Sequence, residues 1–157
     1  MFKHVPTSLR EAVCSTFEEL GFVFPDEELL EHQEQADLAY SVSVCFAGPL
    51  QGSLGLSLSR AVAREVAANM LGAVDIDDEK IVSDAVGEIA NVICGNAVQA
   101  LATPEAEFLL GVPVARGPES VERGDGRRVA EVEFGVGDGR ARAWIEIVEE
   151  CRAETVP

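Results

Sequence analysis

Basic side chains are scarce in this sequence. Its 157 residues include 12 lysines and arginines against 28 aspartates and glutamates, so the formal net charge is −16 at pH 7. Affinity for nucleic acids comes largely from Lys and Arg side chains that displace counterions from phosphates, and anionic lipid attracts basic residues in the same way. We therefore expect no nucleic-acid partner and no membrane-surface partner. A partner with a basic rim, or one with little charge, fits this composition.

Long apolar runs and metal-binding patterns are also lacking. No segment reaches the roughly 18 consecutive apolar residues of a membrane helix, and residues 1–6 lack the apolar run of a signal peptide. The few cysteines and histidines form no CxxC pair and no Cys–His cluster: Cys14, Cys45, Cys94, Cys151, His4 and His32. This spacing argues against a zinc site. We predict a cytoplasmic protein with four free thiols and no metal site of its own.

The hydrophobic pattern predicts both helices and strands. Apolar residues make up 47% of the chain, enough for a sizeable core in one domain spanning 1–157. Helical or alternating spacing predicts a helix over 7–20, strands over 38–47 and 50–58, helices over 60–71 and 79–102, a short strand in 108–115, and a hairpin of 127–136 and 140–149. We predict an α+β fold: a mostly antiparallel sheet with helices packed on one side, in two pseudo-duplicated helix–hairpin halves.

Several local signals refine this prediction. Thr7 or Ser8 is expected to cap the first helix, Ser59 the second, and Asp77 or Asp78 the long one. The connector 26–37 contains six acids, which we assign to solubility. Residues 38–72 contain only one acid and two bases, so this block should be buried or paired on both sides. Small residues on one face of the second strand predict close approach of a helix or second sheet: Gly52, Ser53, Gly55 and Ser57.

The long helix has a polar stripe on an otherwise apolar surface. Asp84, Glu88, Asn91 and Gly95 follow one another at i, i+4, i+7 and i+11 and lie on one face. The simple interpretation is the solvent face of an amphipathic helix. However, Asn competes for backbone hydrogen bonds within a helix, and a mid-helix Gly costs about 1 kcal/mol relative to Ala. Asn91 and Gly95 therefore indicate a role other than helix stability, such as close packing or docking of a partner.

This helix resembles the signature helix of the CheX/CheC family of chemotaxis phosphatases. The likeness rests on Asp84-x-x-x-Glu88-x-x-Asn91 followed by the Gly95-Asn96 pair, and on a downstream proline, Pro113. Two further segments are typical of the family: 46–52, which opens a Leu/Ser strand, and 67–72, which ends a helix. The resemblance spans roughly residues 38–115. It implies a CheX-like domain with a single catalytic site.

The resemblance implies a substrate and a site. The substrate would be a phosphorylated CheY-type response regulator, and the reaction hydrolysis of its aspartyl phosphate. Asn91 would position the attacking water, and Glu88 would dock on the active-site lysine of the receiver. Asp84 and Gly95 would contribute to partner binding. The receiver would supply Mg²⁺, so the chain itself would need no cofactor. A carboxamide suits this task, since its oxygen can accept from water while its nitrogen donates.

The first helix repeats the spacing with one change. Thr7, Glu11 and Cys14 match the positions of Asp84, Glu88 and Asn91. CheC-type relatives keep two Glu/Asn pairs, whereas here a thiol takes the place of the second amide. We predict that this first site is inactive. The alternative is a chance match with a buried cysteine.

Two other functions remain open at this point. The fold could serve as a non-catalytic module that binds a receiver or a flagellar or chemotaxis component, or the small-residue face could bind a small ligand. The resemblance also implies a homodimer formed by joining sheets. We predict that the terminal hairpin, with Trp144, Ile145 and Ile147, supplies the edge.

Overall fold

A computed structural model of the chain describes residues 2–116 and 126–148. The helices are α1 (Val5–Glu19), α2 (Glu31–Glu34), α3 (Arg60–Leu71) and α4 (Glu79–Ala97), and a 3₁₀ turn (Val98–Leu101) follows α4. The strands are β1 (Leu38–Ala47), β2 (Gln51–Ser59), β3 (Leu109–Leu110), β4 (Val114–Arg116), β5 (Arg127–Val136) and β6 (Gly139–Ile147). The predicted loop over 117–126 lies almost wholly outside the described residues, as does Cys151.

The six strands form one antiparallel sheet. Its order is β3-β1-β2-β6-β5, and β4 also pairs with β1 on the side of β3. Alternation along the strands sends one set of side chains to the helices and the other to the opposite face. β2 is paired on both sides, by β1 and β6, as its lack of charge predicted. The α+β prediction, with helices packed on one side of an antiparallel sheet, is confirmed.

The domain has two helix–hairpin halves, and the helix of each half packs on a strand of the other half. The order helix–hairpin occurs as α1-β1-β2 and again as α4-β5-β6, with β2 and β6 adjacent at the centre. Helix α4 lies against β1, whereas α1 lies against β5 and also contacts α4. The predicted pseudo-duplication therefore appears as an approximate twofold arrangement. It places the polar stripes of α1 and α4 in comparable positions.

Several predicted helix ends need correction. Helix α1 begins at Val5, two residues before the predicted start at Thr7, and His4 is its N-cap in place of Thr7 or Ser8, because Pro6 fits the first helical turn. Ser59 occupies the N-cap of α3, but its hydroxyl bonds the backbone of Arg140 instead of α3. Asp78 caps α4 as predicted, accepting from two backbone N–H groups. The final residues of the predicted long helix form the 3₁₀ turn.

The small-residue face of β2 is covered by an aromatic ring, not by the predicted helix or second sheet. A Cβ atom built on Gly55 would lie 2.2 Å from Cζ2 of Trp144, so the indole lies flat against bare backbone. Arg128 and Arg142 stack on the same indole, with Cζ atoms 5.0 and 5.7 Å from its centre. Trp144 is thereby buried outside the main core.

The terminal hairpin supplies an edge of the sheet, but not through the three residues predicted for it. Trp144, Ile145 and Ile147 lie on β6, which is an interior strand between β2 and β5, and all three side chains are buried. Strand β5, the other strand of the same hairpin, forms this edge. The homodimer itself stays a prediction.

One buried glutamine helps to hold the acidic connector against the sheet. Gln33 in α2 is 1% exposed. Its Nε2 donates to Asp26 at 2.9 Å and to the backbone oxygen of Gly137 at 2.9 Å, and its Oε1 accepts from the N–H of Leu30 at 2.8 Å. Asp26 therefore has a structural role, which corrects the assignment of all six acids of this connector to solubility.

Cysteine and membrane predictions have mixed outcomes. Cys14, Cys45 and Cys94 are free. Among the described residues, one helical stretch, Glu79–Leu101, is long and apolar enough to cross a membrane by length and composition. Core helices of globular domains share these properties, and 56% of its most apolar window is buried within the domain. We regard it as the central helix of the core.

Candidate functional site

The polar stripe of α4 borders a cleft beside the outer strands of the sheet. The cleft has a volume of about 420 Å³. Helix α4 contributes Asp84, Glu88 and Asn91, while the turn between β3 and β4 contributes Val112 and Pro113. This turn reaches α4 because β3 and β4 both pair with β1, over which α4 packs. The structure thus brings together the Glu–Asn pair and the downstream proline, which are distant in sequence.

Asn91 has an unusual environment for a helix-interior residue. The residue as a whole is half-buried, but its Oδ1 atom is shielded from solvent. No group in the described part of the chain donates a hydrogen bond to this oxygen. A buried polar atom without a partner costs about 1–3 kcal/mol. The amide side chain borders the cleft, but its oxygen is left unpaired and shielded, so a water or partner group reaches it only when the side chain turns toward the cleft.

Glu88 and Asp84 extend from the same helix face into solvent. Both residues are exposed, and Asp84 Oδ2 lies 3.4 Å from Nζ of Lys80 in an i,i+4 ion pair. Such an exposed pair contributes little to stability. Asp84 is therefore a rim residue whose carboxylate is already partly neutralised. Glu88 lies one turn nearer Asn91.

Gly87 is a site residue that the sequence analysis missed. It is buried in α4, and a Cβ atom at this position would approach Cβ of Pro113 to 3.1 Å. The glycine therefore lets the β3–β4 turn pack directly on the helix between Asp84 and Asn91. Gly87 lies among apolar residues in sequence, so only the tertiary contact identifies its role.

Gly95 lies beyond the cleft, near Leu110 of β3. A Cβ atom at Gly95 would lie 3.6 Å from Cδ1 of Leu110, an ordinary van der Waals distance. The helix therefore has room for a methyl group here, and close packing does not explain the glycine. Partner binding by Gly95 stays a prediction.

The Gly95→Ala variant is expected to be more stable than the wild-type chain. Alanine is favoured over glycine in a helix interior by about 1 kcal/mol, and the methyl group meets no close neighbour. Urea unfolding monitored by circular dichroism measures this change. A loss of stability would show that the backbone at Gly95 is closer to Leu110 than the structure indicates.

The start of α4 is tied to β1 and α3. Glu79 accepts a hydrogen bond from the hydroxyl of Tyr40 at 2.5 Å and pairs with Arg60 at 2.7 Å. The hydrogen bonds from Tyr40 and then from Arg60 hold the pKa of Glu79 below its ordinary range. Burial raises the pKa of Tyr40, with a further contribution from Glu79. These contacts fix the helix that presents the stripe.

The Tyr40→Phe variant is expected to lose stability in a pH-dependent way. It removes the hydrogen bond from Tyr40 to the Glu79 carboxylate and leaves that of Arg60. A carboxylate with a depressed pKa stabilises the fold above its unfolded-state pKa, and this contribution is lost as the pH falls through the lower folded-state value. The difference between variant and wild type should therefore be larger at about pH 7 than at about pH 4. Denaturant midpoints at the two pH values measure it, and a constant difference would contradict it.

The stripe on α1 repeats the exposure pattern of the stripe on α4. Thr7 and Glu11 are exposed and Cys14 is half-buried, as are Asp84, Glu88 and Asn91 respectively. Burial, followed by the nearby charge of Glu18, raises the pKa of Cys14. The thiol therefore stays protonated at neutral pH and offers only a weak donor. Inactivity of this first helix stays a prediction.

The α4 stripe offers mainly hydrogen-bond acceptors, together with one carboxamide that can both accept and donate. Within residues 2–116 and 126–148, no group of three or more His, Cys, Asp or Glu side chains could hold a metal ion. The stripe offers two carboxylates for a cationic partner and an amide for a water. This set can orient a small polar reactant and dock a basic group.

Solved structures share this fold. The chemotaxis protein CheX of Vibrio vulnificus is 20% identical, with 94% of this chain and 98% of that chain covered, at a TM-score of 0.69. A CheX from Desulfovibrio desulfuricans is 21% identical over 92% and 99% of the two chains, with a TM-score of 0.67. The CheX–CheY–BeF3–Mg²⁺ complex from Borrelia burgdorferi matches at 22% identity, 91% and 97% coverage and a TM-score of 0.71.

A family model settles the relationship that the fold suggests. No curated protein matches the chain. The model of the chemotaxis phosphatase CheX, however, matches residues 40–134, which is more than half of the chain and includes all of α4 and the β3–β4 turn. The family identified from the motif of Asp84, Glu88 and Asn91 is thus confirmed, and the chain belongs to the CheX family of chemotaxis phosphatases.

Proposed function

We propose that this chain hydrolyses the aspartyl phosphate of a CheY-type response regulator, with Asn91 positioning the attacking water and Glu88 docking on the active-site lysine of the receiver. The observation that carries the proposal is the unpaired, buried Oδ1 of Asn91 beside exposed Glu88. Because this oxygen has no protein donor, the side chain loses no internal hydrogen bond at Oδ1 when it turns toward the cleft to accept from a water. The CheX–CheY complex from Borrelia burgdorferi supports a receiver as the partner.

The proposed reaction requires little covalent chemistry from this chain. Water attacks phosphorus, the bond between phosphorus and the aspartyl oxygen breaks, and the aspartate carboxylate leaves while the proton of the water passes to phosphate or solvent. Mg²⁺ and lysine of the receiver would neutralise the charge on the phosphoryl oxygens. Asn91 contributes by orienting the water, and its neutral amide adds no negative charge beside the phosphate.

Glu88 and Asp84 provide the negative charge to which a basic side chain of the receiver would bind. The exposed carboxylate of Glu88 is placed to meet a cation next to the phosphate, and attraction of this kind weakens as salt increases. Asp84 acts at the rim, one turn away. We also propose a cytoplasmic location. As the family resemblance implies, we further propose a homodimer, for which β5 is the edge strand of the terminal hairpin.

The test follows loss of phosphate from CheY-type receivers of the source organism. Each receiver is phosphorylated with a small acyl phosphate donor, freed of donor, and incubated with Mg²⁺ in the presence or absence of this chain. We expect faster loss of phosphate for at least one receiver. An unchanged phosphate lifetime with every receiver, despite measurable binding, would favour the non-catalytic binding module instead.

A further inference from the structure

An apolar groove adjoins the α4 stripe on the side away from the cleft. It lies where the ends of α1 and α3 meet the first half of α4, and its volume is about 700 Å³. Its apolar wall includes Phe22, Leu71 and Ile81, which are 62%, 58% and 42% exposed. Asp84 and Glu88 form its border with the stripe. Clustered exposed apolar side chains next to a polar site are typical of an interaction surface.

Phe22 is held in a conformation that does not suit it. Its φ angle is +53°, in the left-handed region, and no other described residue apart from glycines has positive φ. Helices usually end with Gly or Asn in this conformation, because a side chain with a Cβ atom is strained there. Phe22 is thus both strained and exposed. Neither property helps the isolated fold, which indicates that the ring serves an interaction.

The surrounding backbone fixes the direction of Phe22. The N–H of Val23 donates to Phe17 O at 3.1 Å, and Asn69 Nδ2 donates to Gly21 O at 2.7 Å. Val23 is buried in the core. The turn after α1 is therefore tied to α1 and α3 on both sides of Phe22. The ring is presented by a fixed turn beside α4.

We propose that this groove receives an apolar side chain of the same phosphorylated receiver that docks on Glu88, an inference that rests on the proposed function. A receiver that brings its phosphate to Asn91 must lie over Glu88, which borders both the cleft and the groove. The groove has an acidic border, which fits a partner surface that combines an apolar side chain with a neighbouring lysine or arginine. Phe22 and Leu71 supply the buried apolar contact.

A second copy of this chain fits the groove less well. Two copies that met here would bring the acidic borders formed by Asp84 and Glu88 close to each other, and each chain has a net charge of −16. Like charges placed opposite each other at an interface are unfavourable. The receiver is therefore the occupant that the charges favour.

The test compares the same substitution at two phenylalanines of similar exposure, Phe22 in the groove and Phe24 outside it. Phe22→Asn removes the ring and places a residue that tolerates positive φ, whereas Phe24→Asn changes a 67% exposed ring that is not among the residues lining the groove. Binding of both variants to a beryllofluoride-activated CheY-type receiver is measured by calorimetry. We expect Phe22→Asn to raise Kd about tenfold while raising Tm by about 2–4 °C. Phe24→Asn should leave Kd within about twofold.

The outcomes separate this inference from the proposed function. A Kd for Phe22→Asn equal to that of the wild-type chain would overturn the groove contact while leaving the phosphatase proposal intact. A wild-type chain that neither binds nor dephosphorylates any receiver would overturn both. Leu71→Gln provides a second variant in the same wall and should weaken binding as well. If Phe22→Asn instead dissociates a dimer without changing receiver binding, the occupant is a second copy and the inference is wrong.

Discussion

The Asn91→Ala variant is expected to lose the acceleration of aspartyl-phosphate hydrolysis almost completely, by roughly a hundredfold or more. The amide would no longer hold the attacking water, whereas the docking carboxylate of Glu88 is untouched. Binding to a beryllofluoride-activated receiver should therefore change by no more than about threefold. Single-turnover loss of phosphate and calorimetric binding, measured on the same preparation, separate the two effects.

The same variant is expected to be more stable than the wild-type chain. Alanine is a better helix former than asparagine, and the substitution removes the buried oxygen that has no partner among the described residues. A gain of about 1 kcal/mol in the free energy of unfolding is reasonable from these two effects. A variant that is inactive but more stable cannot be explained by misfolding. Full activity in Asn91→Ala would overturn the proposed role.

Two controls make the result specific. Gln99→Ala removes another carboxamide, exposed in the 3₁₀ turn that follows α4, and should leave hydrolysis within about twofold. Glu88→Ala should act mainly on binding, so that the receiver concentration needed for half-maximal rate rises. This rise should be larger at low salt, where the attraction of the Glu88 carboxylate is less screened. If Glu88→Ala and Asn91→Ala had the same pattern, the division of roles between docking and water positioning would be wrong.

Gln33→Ala is expected to cost about 2–4 kcal/mol of stability, a large effect for a polar substitution. The variant leaves the N–H of Leu30 and the backbone oxygen of Gly137 without the partners they have in the wild-type chain. It also creates a cavity at a residue that is 1% exposed. Gln33 joins the acidic connector to the β5–β6 turn, so its loss should loosen that connector. The bonds from Asp26 N–H to Gly135 O at 2.7 Å and from Arg140 Nε to Ala36 O at 2.8 Å remain. Urea unfolding and proteolysis of the connector provide the measurements.

A neighbouring glutamine gives a matched control for this prediction. Gln35 directly follows α2 and is exposed, so Gln35→Ala should change stability by no more than about 0.5 kcal/mol. Gln33→Glu tests the direction of the hydrogen bonds, because a carboxylate cannot donate to Asp26 and would repel it. An effect of Gln33→Ala as small as that of Gln35→Ala would show that the connector is not held by this residue.

The regular elements were predictable because their patterns are local. Alternation in 38–47 and a left-handed Gly72 at the end of α3, with φ of +67°, are signals that each segment contains by itself. The start of α1 was predicted two residues too late. Thr7 was taken as the cap, although Pro6 is itself favourable in the first turn of a helix. The strand predicted in 108–115 is divided into β3 and β4, with Pro113 just before the second piece.

From sequence alone, the site on α4 could be predicted only at residues that destabilise a helix interior. Asn91 drew attention because asparagine is a poor residue inside a helix, and the family resemblance then gave it a role. Gly87 and Gln33 were missed because the contacts that explain them, with Pro113 and with Gly137, join residues far apart in the chain. Phe22 was missed for a different reason, since its strain is a property of the backbone and not of the residue order.

The firm attachment of α4 has a consequence for how fast a partner can bind. Asp78 caps the helix, Glu79 ties it to Tyr40 and Arg60, and its inner face, including Ile89 and Ile93, is fully buried. The backbone that bears Asn91 is therefore ordered before any encounter, and little conformational entropy is lost there on association. The rate of complex formation should depend on collision and orientation, steered by charge, and not on a slow rearrangement of this domain.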